Sequence, residues 1–572
     1  MSKKNPSRPR TKTPPQSEQP TVVQRDGLRE LVESVVIAFV LAFLFRTFEA
    51  EAFVIPTGSM APTLMGQHKD LRCANCSYSF RVSASEEESR RGGPPQTVTS
   101  AICPICRYQM DFAAGGRDER VRHATSKGDR ILVAKFPYEF SDPRRWDVAV
   151  FKNPGEGKQN YIKRVVGLPN EIVVVCHGDI HTAKDGLPFE PADATAVAEL
   201  QKLGKLQIER KPPAKVEAML QVVHDNDYLP AGLDSRWEPQ TPGWQPVDEG
   251  RAFAYDGGFK DGGAPADALM VYNHKVPPPE FWAGRRRRTS ADGDGIDPQL
   301  ITDFYAYNTN EARGGYPVSP KILGTNWVGD LAVDCRVDVE GDEGELILQL
   351  VEGGAVFECR IDVATGAARL LAPGDKADAR EAPTAVRGPG DYRLRFANVD
   401  DQLLLWVNGK VIDFDGRYGP LGPPVPDVND LLPARLGAKG VAARFSELRI
   451  LRDVYYIAVE RGGHDTGEEP REAGFFHHPA SWRDLAAAPA IVLPLAADRY
   501  MVCGDNSPRS YDSRMWMGYD EETNEIEYYV KRDLLIGKAV YIYWPHGLPI
   551  PGLPDRSWTQ LIPNLPRMGF VR

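Results

Sequence analysis

Two residues of this chain are of types that can do nucleophilic chemistry together. Ser59 stands in "FVIPTGSMAPTL" (53–64), a run broken by prolines, and Lys163 stands in "NYIKRVVGLP", an apolar segment with strand character. A serine hydroxyl is a weak nucleophile until a base within hydrogen-bond reach takes its proton. The 10 histidines are scattered, and "FHHP" (476–479) has no partner pattern near it. A lysine can serve instead, provided it is kept dry. At its ordinary pKa only roughly 0.1% is neutral at pH 7.4, and burial among apolar neighbours penalises the ammonium. Each residue alone also has a plain reading, Ser59 as a turn residue and Lys163 as a solvated strand lysine. What matters is whether the fold brings them together.

A second group suits metal chemistry. Four of the 8 cysteines form "CANC" (Cys73, Cys76) and "CPIC" (Cys103, Cys106), a C-x2-C-x26-C-x2-C spacing. Four thiolates so arranged fit a tetrahedral, purely structural zinc ribbon. An oxidising compartment would favour disulfides instead, and a redox role is the remaining reading. Tyr78 and Tyr108 follow the two knuckles. Cys335 and Cys359 either pair across strands or sit as buried thiols, the second being favoured.

These groups need a scaffold of strands. "RILVAKF" (130–136), "WDVAVFK" (146–152), "YIKRVVGL" (161–168) and "EIVVV" (171–175) are short apolar or alternating runs bounded mostly by Gly, Pro, Asp or Asn. "DRYMVCGDN" (498–506) and "LLIGKAVYIYW" (534–544) read the same way, and "LAAAPAIVLPLAA" (485–497) reads as loop and strand. Between them, 301–456 alternates strongly and carries Asn-Gly and Asp-Gly turn signals, as in "LLLWVNGKVI" followed by "FSELRIL". That pattern resembles the concanavalin-like jelly rolls and predicts an inserted β-sandwich.

The basic, proline-rich start precedes "LRELVESVVIAFVLAFLFRTFEAEAF", whose apolar character suits a membrane anchor with a cytoplasmic N-terminus. A cleaved signal ending at Ala50-Glu51-Ala52, or a buried core helix, competes with it. The fold class expected is therefore mainly β with an N-terminal transmembrane helix. Residues 1–27 would be a disordered arm and 28–48 the anchor. The β catalytic core would comprise 49–72, 127–190 and 490–572. Residues 73–126 would form a zinc-ribbon-like insertion, 191–300 an irregular linker, 301–456 the sandwich and 457–489 a return linker. The formal net charge of −10 argues against nucleic acid as a partner. "DGDGID" (292–297) and "RRRR" (285–288) read as solvated linker charge.

"IPTGSMAPTL", "GDRILVAKF", "YIKRVVGLPNE" and "GDNSPRSYDSRMWMG", in this order after an apolar helix, resemble the signature boxes of the type I signal peptidases. The resemblance implies a membrane-anchored serine endopeptidase that removes signal peptides from exported preproteins after small residues, on the outer face of the cytoplasmic membrane and without a catalytic cofactor. Carried over by motif, Ser59 is the nucleophile and Lys163 the general base. The Ser59 backbone N–H and the Thr57 hydroxyl, where the family often has serine, would hold the oxyanion. Ser510 would orient the lysine ammonium, with Asp512 and Arg514 as a supporting ion pair and Arg164 nearby. Phe53, Ile55, Met60, Leu64, Tyr161 and Ile162 would line the pockets for small residues. Asn170-Glu171, Cys503 and "SPR" (507–509) depart from the family pattern without removing a catalytic group. The self-cleaving repressors of the DNA-damage response share a Ser–Lys β core but carry a DNA-binding module in place of an anchor. The reading from another class is a catalytically silent envelope protein whose sandwich binds polysaccharide or protein.

Overall fold

The computed structural model describes residues 27–44, 50–87, 97–113, 115–118, 124–154, 159–230, 232–258, 266–278, 281–284, 295–312, 324–374, 380–458, 474–516, 518–520, 525–548, 550 and 560–572. The expected disordered arm falls almost wholly outside them, as do the four arginines and the first half of the run at 292–297.

Residues Glu51–Arg572 form one compact unit and are mainly β. The sheet that carries the candidate site runs in the order Ala50–Val54, Arg130–Ala134, Leu535–Trp544, Val148–Lys152, Asn160–Gly167, Arg499–Cys503, Val530–Lys531. Its Asn160–Gly167 strand is held on both sides, with Ala149 opposite Lys163 and Cys503 opposite Arg164. A strand flanked by partners on both edges has little water around it, which is why so many Val and Ile residues occupy this region. Ile131, Val133, Val148, Val150 and Ala539 join Ile55, Met60 and Leu64 in one buried cluster. A four-stranded sheet, Gln207–Ile208, Asp179–Ala183, Ile172–Cys176 and Ala490–Pro494, continues this β structure.

The sandwich reaches further back along the chain than expected. Residues 191–300, read as irregular linker, supply Gln221–Asp225, Trp244–Val247 and Ala252–Asp256 to one sandwich sheet, and Trp237–Pro239 and Ala268–Tyr272 to the other. Each of these strands pairs, directly or through a neighbour, with Ala442–Arg452 or Ala434–Lys439. Prolines, glycines and charges mask the alternation locally. Pairing partners nearly two hundred residues away supply the order. Cys335 and Cys359 lie on different sandwich sheets as fully buried free thiols within one core cluster.

The cysteine-bearing segment forms two three-stranded sheets. His68–Arg72 pairs with Ser79–Ser83 and Thr125–Ser126, and Val98–Ile102 pairs with Gln109–Asp111 and Glu311–Ala312. The first strand had been expected in the catalytic core, so the boundary drawn at residue 72 cuts through this module.

The helix Gly27–Leu44 belongs to a separate unit. It departs from the transmembrane anchor expected over 28–48: Arg29, Glu30 and Glu33 occupy its first two turns, and no helix among the described residues is long and apolar enough to cross a membrane. Residues 45–49, into which the apolar run continues, lie outside the described residues.

Candidate active site

Ser59 sits in a single tight turn, Gly58–Met60, directly after the edge strand Ala50–Val54. All three turn residues are buried. The turn is closed by Ala61 N–H donating to the Gly58 carbonyl at 3.1 Å. Gly58 has to be glycine because a Cβ there would lie 2.2 Å from the Tyr307 ring. The turn is therefore wedged by an aromatic residue from the connection between the sandwich strands Ala268–Tyr272 and Leu331–Val339.

Lys163 meets it from the central strand. Its Nζ donates to Ser59 Oγ at 2.9 Å, and the lysine is only 5% exposed. Burial pushes its pKa down to about 8; Asp512 pulls it back up and Arg514 lowers it again. Asp512 and Arg514 largely cancel each other because they are paired face to face, Nη2–Oδ2 at 2.7 Å and Nε–Oδ1 at 2.9 Å, both fully buried. Desolvation thus decides the lysine's charge. A pKa near 8 leaves on the order of 20% of the amine neutral at pH 7.4, against ~0.1% for an ordinary lysine.

The remaining expected residues divide. Thr57 precedes the turn, is exposed, and makes no capping bond to it. Ser510 is buried close to the site, but its Oγ has no hydrogen-bond partner, so the expected bond to the Lys163 ammonium is not made. The amine is directed at Ser59 instead. Asp512 also accepts from Gly504 N–H at 2.9 Å, and Arg514 donates to Ser507 Oγ and the Ile457 carbonyl, which stiffens the 504–514 loop.

Arg164 does not join that pair. It forms its own fully buried bidentate bridge with Asp505, Nε–Oδ1 at 2.7 Å and Nη2–Oδ2 at 2.6 Å, to which Thr63 also donates. Ile55, Met60 and Leu64 are covered in the core, at 2% exposure or less, and present no surface to a ligand. Phe53, Tyr161 and Ile162 are partly exposed. Alternation explains the division: apolar residues on both faces of a buried turn look alike in sequence, and only packing separates floor from wall.

Two residues escaped the reading of the sequence. Asn506 holds the serine turn from the side: its backbone N–H donates to Ser59 O at 3.0 Å and its Nδ2 to Gly58 O at 3.0 Å. It also exchanges two side-chain bonds with Asn308, at 2.7 and 2.8 Å. Asp505 neutralises Arg164. Both belong to "GDN", and a polar triplet directly after the strand Arg499–Cys503 was the available signal.

The four cysteines converge as well. Cys73 Sγ lies 3.6 Å from Cys106 Sγ, and Cys76 Sγ lies 3.6 Å from Cys103 Sγ, all four buried and unbonded. Asn75 and Cys76 N–H point at Cys73 Sγ.

Comparison with known proteins agrees with the motifs. The family model of signal peptidase, peptidase S26, matches residues 117–253, a stretch that holds Lys163 and Arg164 but not Ser59 or the 504–514 loop. Signal peptidase I of Pseudomonas fluorescens is 39% identical over 114 residues, covering 16% of this chain and 39% of that protein. Signal peptidase I of Leptolyngbya laminosa is 28% identical over 191 residues, covering 32% and 63%. The chain thus spans less than two thirds of the length of these curated relatives. Among solved structures, the carbohydrate binding module CBM66 from Bacillus subtilis aligns at TM-score 0.21 and 8% identity, covering 38% of this chain and 94% of that one. Sheep galectin-11 aligns at TM-score 0.16 and 16% identity, covering 21% and 89%. Over these stretches the chain is similar to the signal peptidases.

Proposed function

We propose that this protein is a serine endopeptidase of the signal peptidase type, with Ser59 as nucleophile and Lys163 as general base. The observation that carries this reading is the 2.9 Å contact between a buried amine and a buried hydroxyl. Ser59 Oγ attacks the scissile carbonyl while its proton passes to Lys163 Nζ. The oxyanion is held by the Ser59 N–H and the Thr57 hydroxyl. Collapse of the tetrahedral species breaks the C–N bond, and the departing amine takes the proton from Lys163. Lys163 then deprotonates a water that attacks the acyl-enzyme, which releases the new carboxyl terminus and restores Ser59. The edge strand Ala50–Val54 offers unpaired backbone groups to an extended substrate, with Phe53 and Ile162 beside it.

Localisation at a membrane belongs to the same reading. Leu31, Val32, Val36, Ile37 and Phe39 of the helix Gly27–Leu44 are all exposed, Phe39 to 73%. A helix apolar on most of its circumference is stable against lipid rather than water. We read it as the membrane-facing element.

The four thiolates fit a structural zinc. Zn–S bonds of about 2.3 Å give a tetrahedral S–S edge of about 3.8 Å. The Sγ–Sγ separations of 3.6 Å are close to that edge and far from the ~2.05 Å of a disulfide.

The test is cleavage of a preprotein with alanine on the amino side of the scissile bond, by the purified full chain in detergent. Ser59→Ala is expected to reduce cleavage at least ~10³-fold; equal cleavage by the variant would overturn the reading. Gly504→Ala probes the fit of the loop against the serine. A Cβ there would lie 2.4 Å from the Ser59 carbonyl oxygen and 2.2 Å from Ser510 Oγ. Pushing the turn aside by such a contact is expected to cost about 10²-fold in kcat/KM with KM little changed.

A further inference from the structure

His68, Asp70 and His546 meet away from the dyad, and the chemistry proposed for Ser59 and Lys163 uses none of them. His68 and Asp70 alternate on the strand His68–Arg72 and so project from one face. His546 follows the strand Leu535–Trp544. One ligating atom from each lies within 4.8 Å of the other two. The imidazoles are edge-to-face with ring centroids 4.5 Å apart, His68 fully buried and His546 only 5% exposed.

The hydrogen bonds determine which nitrogen holds a lone pair. His68 Nδ1 lies 2.7 Å from the Gly66 carbonyl oxygen, which can only accept, so Nδ1 carries the proton. Nε2 of the neutral ring then presents a lone pair. That atom is buried without a hydrogen-bond partner and sits 3.7 Å from Asp70 Oδ2, which also only accepts. A protonated ring would not repair the contact, because 3.7 Å is beyond hydrogen-bond reach. Two acceptors therefore face each other with no donor between them. His546 Nε2 lies 3.0 Å from the same carboxylate oxygen, and its Nδ1 is buried with no partner. Arg81 occupies the other oxygen of Asp70, at 2.8 Å, and holds the carboxylate in place.

We propose that His68 Nε2, Asp70 Oδ2 and His546 Nε2 bind a divalent transition-metal ion, with zinc the best match. Tetrahedral bonds of about 2.0–2.1 Å require ligand–ligand edges of about 3.4 Å. The two measured edges, 3.0 and 3.7 Å, bracket that value. Donation of the distal ring N–H to a backbone carbonyl is how proteins orient a metal-binding histidine. Two imidazoles and one carboxylate suit zinc better than calcium or magnesium. The Asp70 side chain is 42% exposed, which provides an entry path and a fourth position for water. The ion would tie the strand that follows the serine loop to the segment after Leu535–Trp544, a clamp distinct from the four-thiolate cluster.

Cobalt(II) chloride titrated into the metal-free full chain separates the two centres. Cobalt at the thiolates gives an intense sulfur-to-metal band in the near ultraviolet, whereas cobalt at His68, Asp70 and His546 gives only weak visible bands. One equivalent without the thiolate band is expected in the parent protein. Asp70→Asn, a half-exposed and nearly isosteric change that should leave the fold intact, is expected to weaken that equivalent at least roughly tenfold. His546→Gln should do the same, and both should keep the thiolate band. Binding confined to the thiolates in the parent protein, or unchanged non-thiolate binding in both variants, would overturn the proposal.

Discussion

Replacement of Lys163 by methionine is expected to lower kcat/KM for preprotein cleavage by about 10³–10⁴-fold while leaving the melting temperature unchanged or higher. The two halves of this expectation have one cause. Lys163 is buried on a central strand, and burial lowers its pKa from 10.5 to about 8. At neutral pH most of the folded protein still carries the ammonium, at a cost of roughly 3 kcal/mol relative to an exposed lysine. Methionine has a similar length and no charge, so it removes that cost together with the base.

The pH dependence follows with a definite sign. The folded pKa lies below the unfolded one, so the folded state binds fewer protons between about 8 and 10.5, and stability rises with pH across that interval. Activity requires the neutral amine, so kcat/KM should climb tenfold per pH unit well below 8 and level off above it. Melting curves of parent and Lys163→Met at pH 7 and pH 9.5 check the stability statement, and the difference between the two proteins should shrink at the higher pH. Rate profiles from pH 5.5 to 9.5 on the parent protein check the activity statement. A flat rate profile, or a variant clearly less stable at pH 7, would mean that the lysine is not a desolvated base.

Asp505→Ala is expected to destabilise the protein by about 3–5 kcal/mol, far more than most single substitutions. Both members of the Arg164–Asp505 pair have side chains with 0% exposure. Removing the carboxylate leaves a guanidinium that cannot reach water and cannot lose its proton. The exposed pair Arg417–Asp415, at 62% and 68%, supplies the contrast, and Asp415→Ala should change stability by only about 0–1 kcal/mol. Combining Arg164→Met with Asp505→Leu should recover much of the loss, because a buried pair replaced by apolar groups loses its charges together. Thermal or denaturant unfolding of the three variants decides the matter. Since Asp505 adjoins Asn506, which holds the serine turn, Asp505→Ala should also lose cleavage activity beyond what unfolding alone accounts for.

The features legible in the sequence were those written locally. Ser59 in its proline-flanked turn, Lys163 in an apolar strand and the paired Cys-x-x-Cys knuckles each depend on a few adjacent residues, because turn geometry, strand burial and thiolate spacing are short-range constraints. The alternating strands of 331–452 were readable for the same reason. Where alternation was interrupted, as over 221–272, the strands were missed, since their order comes from partners such as Ala442–Arg452 and not from their own residues.

Tertiary structure alone decided which polar groups work together. Asn506 reaches Gly58 across 448 positions, and Lys163 reaches Ser59 across 104. Nothing local could assign Asp505, rather than Asp512, to Arg164, because each arginine takes whichever carboxylate the loop at 504–514 places in reach. Packing likewise put Ile55, Met60 and Leu64 under the site instead of around it, and brought His546 against His68 and Asp70. The sequence by itself determined the reactive groups and the kind of scaffold they need. Their partners, protonation and access to water were decided by the fold, since those depend on distances and dielectric surroundings that exist only once distant segments are packed together.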